Sequence, residues 1–183
     1  MRILGIDPGS SATGYGVVER REGRLVHVAH GTLRPPRDLS LASRLDHLHR
    51  SIGEVITLHA PDCVAVEGVF VAASPRSALV LGQARGAILA AVAAGGLPVH
   101  EYAPTRIKRS VTGNGRATKR QVKFMVQRLL SLDRLPANDA ADALAAAISH
   151  ANAGRLESLG VVRTSAGRGS GSRAVMVTAR RPL

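Results

Sequence analysis

Several residue types are nearly missing from this chain. Its 183 residues include one cysteine, no tryptophan, two tyrosines and two phenylalanines. A lone thiol excludes an internal disulfide framework, and Cys63, in the apolar run Cys63-Val64-Ala65-Val66, reads as a small core residue of a strand. Lysine occurs only at 108, 119 and 123. Long uncharged apolar runs are also lacking. The longest, residues 86–98, falls short of the ~18 to 20 residues of a membrane span. The N-terminus runs straight into the strand-like Ile3-Leu4-Gly5-Ile6 without a signal peptide, so the expectation is a soluble, cytoplasmic protein. Acidic residues are scarce as well. Thirteen Asp and Glu face 25 Lys and Arg, giving a net charge of +12 and a pI near 11.5. Such a balance points to an anionic partner, most simply nucleic acid.

The length suits one globular domain with a sizeable core, plus a tail. Ile3–Ile6 and Tyr15–Val18 read as strands joined by a turn-rich segment, and Leu25–Leu33 as a third strand closing an antiparallel meander. Leu41, Leu45, Leu48, Ile52 and Val55 recur at helical spacing, with Ser40 as candidate cap. The continuous apolarity of Cys63–Val66 predicts a strand buried on both faces, hence parallel to a neighbour. Residues 77–94 form a helix apolar on nearly every side. Such a helix needs cover all round, in part from a second copy of the chain. A short strand over 98–102 and helices over 118–132 and 138–151 complete a mixed α/β layered domain. The composition changes after about residue 152. Six arginines face one glutamate there, and residues 166–173 form a Gly/Ser/Arg segment. Residues 1–152 are therefore read as the domain and 153–183 as a basic, flexible tail that touches the DNA backbone or is simply solvated.

Four of the few acids occupy unusual places. Asp7 ends the first strand in Gly5-Ile6-Asp7-Pro8-Gly9-Ser10, and Glu67 ends the buried Val64-Ala65-Val66 run. Asp139 and Asp142 open the last helix, three residues apart and so on one face. Blander readings exist: an Asx-turn at Asp7, and Asn138 capping a helix whose positive end Asp139 favours. Carboxylates are costly to bury alone and are usually paired or metal-bound when inside. All four together fit a site for two Mg²⁺ or Mn²⁺ ions, of the kind that hydrolyses phosphodiesters. No Cys/His spacing suggests zinc, and His150 reads as a structural or surface histidine.

Three further observations concern the polyanion. Residues 105–128 carry Arg106, Lys108, Arg109, Arg116, Lys119, Arg120, Lys123 and Arg128 around the turn Gly113-Asn114-Gly115, a set suited to phosphates without sequence readout. A basic solvated helix face is the alternative. Arg76, at the start of the long apolar helix, joins Lys108, Arg109, Arg116, Lys119 and Lys123 as a candidate DNA contact. Phe70, three residues after Glu67, is a candidate for stacking on an unpaired base; a core plug is its other reading.

These residues resemble the RuvC family of bacterial Holliday-junction resolvases over about residues 1–152. The likeness lies in Gly5-Ile6-Asp7-Pro8-Gly9-Ser10 with Thr13-Gly14-Tyr15-Gly16-Val17, then Val66-Glu67 with Val69-Phe70. It continues in Leu81-Gly82-Gln83-Ala84-Arg85-Gly86, Gly113-Asn114-Gly115-Arg116-Ala117 and Asp139-Ala140-Ala141-Asp142-Ala143-Leu144. It implies a ribonuclease-H-like fold, a mixed five-stranded sheet flanked by helices, and a homodimer that nicks two opposed strands of four-way junction DNA. It also implies Mg²⁺ or Mn²⁺ held by Asp7, Glu67, Asp139 and Asp142, base contacts from Phe70, and DNA contacts from Lys108 and Lys119. RuvA and RuvB would be partners. Gly68 departs from the pattern, standing where a larger polar residue is expected.

Other functions share some of these features. A sugar-kinase or actin-like ATPase has a similar phosphate loop but needs two lobes and roughly twice the length. A ribonuclease-H-like nuclease acting on other nucleic acids shares the same acids. A non-catalytic junction-binding protein gives Glu67 and Asp142 no role.

Overall fold

The computed structural model describes residues 1–68 and 74–158, with side chains through residue 154. Phe70 and the tail beyond residue 158 lie outside the described residues. Along the chain run β1 (Arg2–Asp7), β2 (Thr13–Arg21), β3 (Arg24–Leu33), α1 (Leu41–His59), β4 (Cys63–Glu67), α2 (Pro75–Ala94), β5 (Val99–Tyr102), α3 (Pro104–Thr112), α4 (Lys119–Leu129) and α5 (Asn138–Ser158). The sheet order is β3-β2-β1-β4-β5. The first three strands are antiparallel, while β4 lies parallel to β1 and to β5. This is the mixed five-stranded α/β sheet that the sequence implied.

Alternation along the strands divides the core in two. Leu4, Ile6, Val17, Val64 and Val66 face α1 and α2, packing with Leu48, Ile52, Ala84 and Ile88. Ile3, Val18, Cys63 and Ala65 face the other way, with Leu144, Ile148, Ile107 and Val122 of α5, α3 and α4. Helix α5 is therefore wrapped, with the sheet on one side and α3 and α4 on the other, and Ala140, Ala141 and the run 143–148 are all buried.

Close seating of α5 depends on glycines without side chains. Gly5 of β1 pairs with Gly16 of β2, and a Cβ on Gly5 would lie 1.9 Å from the Ala143 carbonyl oxygen. At Gly14 a Cβ would lie 1.9 Å from the Asp139 carbonyl oxygen. The first turn of α5 thus presses onto β2 directly beside Asp7, the register partner of Gly14.

Local signals behave as their chemistry requires. Glu22 and Gly23, both at positive φ, form the tight β2–β3 turn. Ser40 accepts the Ser43 amide at the head of α1, and Thr118 with Gln121 closes a capping box at α4. Four details differ from the sequence reading. Helix α3 was not anticipated: it is nine residues long, and only Ile107 and Val111 mark its buried face. Asn138 lies within the first turn of α5 and accepts a hydrogen bond from Lys123 Nζ at 3.2 Å, so it is not the cap. Helix α5 also runs to Ser158, past residue 151 where the sequence reading ended the helix, because Arg155, Leu156 and Glu157 are good helix formers.

Helix α2 is the fourth difference, in its length and hydropathy. It buries only Ala84, Ile88, Ala91 and Val92, and Leu79 is 65% exposed, so the described residues do not cover it all round, which agrees with the sequence reading. At 20 residues and mean hydropathy 1.5 it is long and apolar enough to cross a membrane by length and composition. Arg85 interrupts its uncharged stretch, which is why residues 86–98 alone fall short of a span. That arginine is bonded into the folded domain, to the Glu67 carbonyl at 3.0 Å and to Glu101 at 2.7 Å.

Candidate active site

The parallel pairing of β1 and β4 sets Ile6 beside Val66, so Asp7 and Glu67 follow at the same end of adjacent central strands. Both fall on the face that α5 covers, where the first turns of α5 bring Asp139 and Asp142. Asp7, Glu67 and Asp142 line one cleft of about 320 Å³ together with Pro104, Lys108 and Lys119. Asp139 sits at its edge instead, its carboxylate paired with Arg34 at 3.2 Å.

The electrostatics identify Asp7 as the centre of the group. Burial, then the charges of Glu67, Asp142 and Asp139, push the Asp7 carboxyl up to about 7, against a smaller opposing pull from Lys119. Burial and Asp142 also raise Glu67, opposed by Lys119 and Lys108. Lys119 ion-pairs with Asp142 at 3.3 Å, and that charge raises the lysine in turn. The cleft thus concentrates more negative charge than its two lysines balance. Such a set of hard oxygen donors suits divalent cations.

This weakened acidity of Asp7 has a measurable consequence for stability. An unfolded Asp7 titrates near 3.8 and the folded one near 7, so between these values the folded state holds the extra proton. Stability of the protein in EDTA therefore falls as pH rises through that window. Asp7→Asn removes the penalty. It is expected to raise the melting temperature in EDTA at pH 8 by about 3 to 6 °C, ~1 to 2 kcal/mol once water access is allowed for, with little change at pH 4. Thermal unfolding at the two pH values checks this.

The other candidates are distributed around the cleft. Lys108 and Lys119 lie in it. Arg109 and Arg116 line a shallow neighbouring depression with Gly113, Asn114 and Gly115. Lys123 is engaged with Asn138, and Arg76 is exposed in the first turn of α2. Phe70 is outside the described residues. At Gly68 an added Cβ would meet the Tyr102 carbonyl oxygen at an ordinary 3.4 Å, so the position has room for a side chain.

Three features were not anticipated from sequence. Arg85 holds the backbone of Glu67 in place from α2. Arg34 reaches Asp139 across 105 residues of sequence. Cys63, His100 and His150 come together at the far end of β4, a cluster that no sequence spacing announces. Cys63 is buried, as expected, and burial pushes its thiol up to about 11.

Carboxylates at the ends of central β1 and β4, met by acids on a helix packed across the sheet, define a ribonuclease-H-like nuclease. A family model described as crossover junction endodeoxyribonuclease RuvC matches residues 3–150. Crossover junction endodeoxyribonuclease RuvC of Hyphomonas neptunium is 57% identical over 152 residues, 83% of this chain and 91% of its own. The chain belongs to the RuvC family. Among solved structures, Thermus thermophilus RuvC in complex with Holliday junction substrate superposes with a TM-score of 0.81 at 32% identity, over 88% of this chain and 97% of that one. The yeast mitochondrial Holliday junction resolvase Ydc2 shares the fold, with a TM-score of 0.62 at 12% identity over 86% and 83% of the two chains.

Proposed function

We propose that this chain is a Holliday-junction resolvase that works as a homodimer, each copy nicking one of two opposed strands of four-way DNA with the help of divalent metal. The convergence of Asp7, Glu67 and Asp142 on a lysine-lined cleft carries the reading. Mg²⁺ or Mn²⁺ fits the all-oxygen donor set, and the raised Asp7 is the mark of negative charge awaiting a cation. Asp7, Glu67, Asp142 and an Asp139 released from Arg34 would hold it. Bound there, the metal would activate water and neutralise charge on the phosphodiester.

The remaining roles belong to the chain itself. Lys108 and Lys119 hold phosphates at the cleft mouth, and Arg76, Arg109, Arg116 and Lys123 extend the cationic track along the backbone. Phe70 stacks on an unpaired base near the cut. Arg85 fixes the main chain that carries Glu67. The exposed apolar side of α2 is the dimer contact, and the second copy supplies cover that the described residues do not. Residues 1–152 form the nuclease domain, and the basic segment from 153 adds backbone contacts. The protein acts in the cytoplasm alongside RuvA and RuvB.

The decisive comparison offers wild-type protein a four-way junction, a plain duplex and an RNA–DNA hybrid, each with Mg²⁺ and with Mn²⁺. Paired symmetric nicks in the junction, with ends that ligase seals, are expected, from a species that sediments as a dimer. Preference for the hybrid would assign a different nuclease. Tight junction binding without cutting in either metal would make the protein a binding module.

A further inference from the structure

Farther along α5 from the acids lies a second group of ligating side chains. Cys63 opens β4, His100 lies in β5 and His150 lies in the middle of α5. One ligating atom from each falls within 4.8 Å of the others. Sheet register explains the meeting. His100 pairs with Ala65, so it shares the face of Cys63 and Ala65 on which α5 rests. Eight residues of helix separate His150 from Asp142, about 12 Å of rise, which keeps the group apart from the acidic cleft.

We infer that Cys63, His100 and His150 form a second metal site, which takes a zinc-class ion separately from the acids. One sulfur and two imidazole nitrogens are the donors such ions choose, and Mg²⁺ or Mn²⁺ does not. Ligands of a tetrahedral zinc stand on the order of 3.5 Å apart. Cys63 Sγ and His150 Nε2 are already 3.3 Å apart. With Nε2 on the ion, His150 Nδ1–H points at the Tyr102 hydroxyl, 2.7 Å away, the kind of outer hydrogen bond that orients a ligating imidazole. The His100 ring lies 4.3 Å from that of His150 and is exposed, so a side-chain rotation closes the set. Three protein ligands leave a fourth position for water, and the bound ion ties α5 to β4 and β5.

The simpler arrangement is a Cys63–His150 hydrogen bond with no metal, and it assigns His100 no part. Co²⁺ separates the two. The full chain, stripped with chelator and kept in excess Mg²⁺, is titrated with Co²⁺ and then with Zn²⁺. One equivalent of Co²⁺ is expected to produce the thiolate-to-cobalt charge-transfer band, which Zn²⁺ abolishes while raising the melting temperature. Cys63→Ser removes the band. His100→Ala, at an exposed position, weakens Co²⁺ binding at least about tenfold. Glu67→Gln leaves the band unchanged. Absence of the band in wild type, or a titration unaltered by His100→Ala, overturns the site. Neither result touches junction cleavage, so this inference and the resolvase reading stand or fall separately.

Discussion

Replacing Asp7 by Asn is expected to reduce junction cleavage by about 10³-fold or more while leaving junction affinity unchanged. Asp7 is the carboxylate on which the charges of the other three act, and burial with those charges pushes it up to about 7. An amide keeps its shape and its place between Pro8 and Ile6 but removes the charge that would hold a cation. Lys108, Lys119 and the arginines proposed to contact the DNA backbone are untouched, so binding is expected to persist. A gel-shift assay and a cleavage time course on one junction, with Mg²⁺ and with Mn²⁺, make the comparison. Asp46→Asn serves as control, because that exposed carboxylate only pairs with Arg50 along α1. If Asp7→Asn cuts at the wild-type rate, the acidic cleft is not the catalytic centre. The variant's expected gain in stability at pH 8 also separates lost chemistry from lost folding.

The largest stability effect is expected at Gly5. A methyl group there would lie 1.9 Å from the Ala143 carbonyl oxygen and 2.9 Å from the Ala147 amide nitrogen. Both are backbone atoms of α5, so no side chain can step aside and the helix itself must lift from the sheet. Gly5→Ala should cost about 3 kcal/mol or more, at the severe end for overpacking. Cleavage should fall with it, since α5 carries Asp139 and Asp142. Gly53 gives the opposite expectation. It lies inside α1 with nothing within 4 Å of an added Cβ, so Gly53→Ala should stabilise by roughly 0.5 to 1 kcal/mol. Urea unfolding of both variants checks the pair. Equal effects would mean that α5 is not seated on the glycines as described.

Much of this architecture is legible in the chain because its signals are local. The apolar run into Glu67 announces a doubly covered parallel strand, and Asp139 with Asp142 announces one helix face. Neither needs knowledge of distant residues. Helix α3 escaped notice because Arg106, Lys108 and Arg109 dominate its nine residues and leave one pair of apolar positions to show the period. The pairing of Arg34 with Asp139, and the meeting of Cys63, His100 and His150, depend on strand order and register. Spacing along the chain carries no trace of either. Helix α2 was readable as apolar, but how much of it the monomer covers was not.

The central place of β1 also bears on how the protein is made. Strand β1, which carries Asp7, is made well before α5, which carries Asp139 and Asp142. A nascent chain that has not yet released α5 holds only two of the four acids, and its sheet lacks the helix that covers the cleft face. The four acids therefore come together only after α5 has followed β1 and β4 out of the ribosome. A chain cut off just before α5 would still be basic but would lack Asp139 and Asp142.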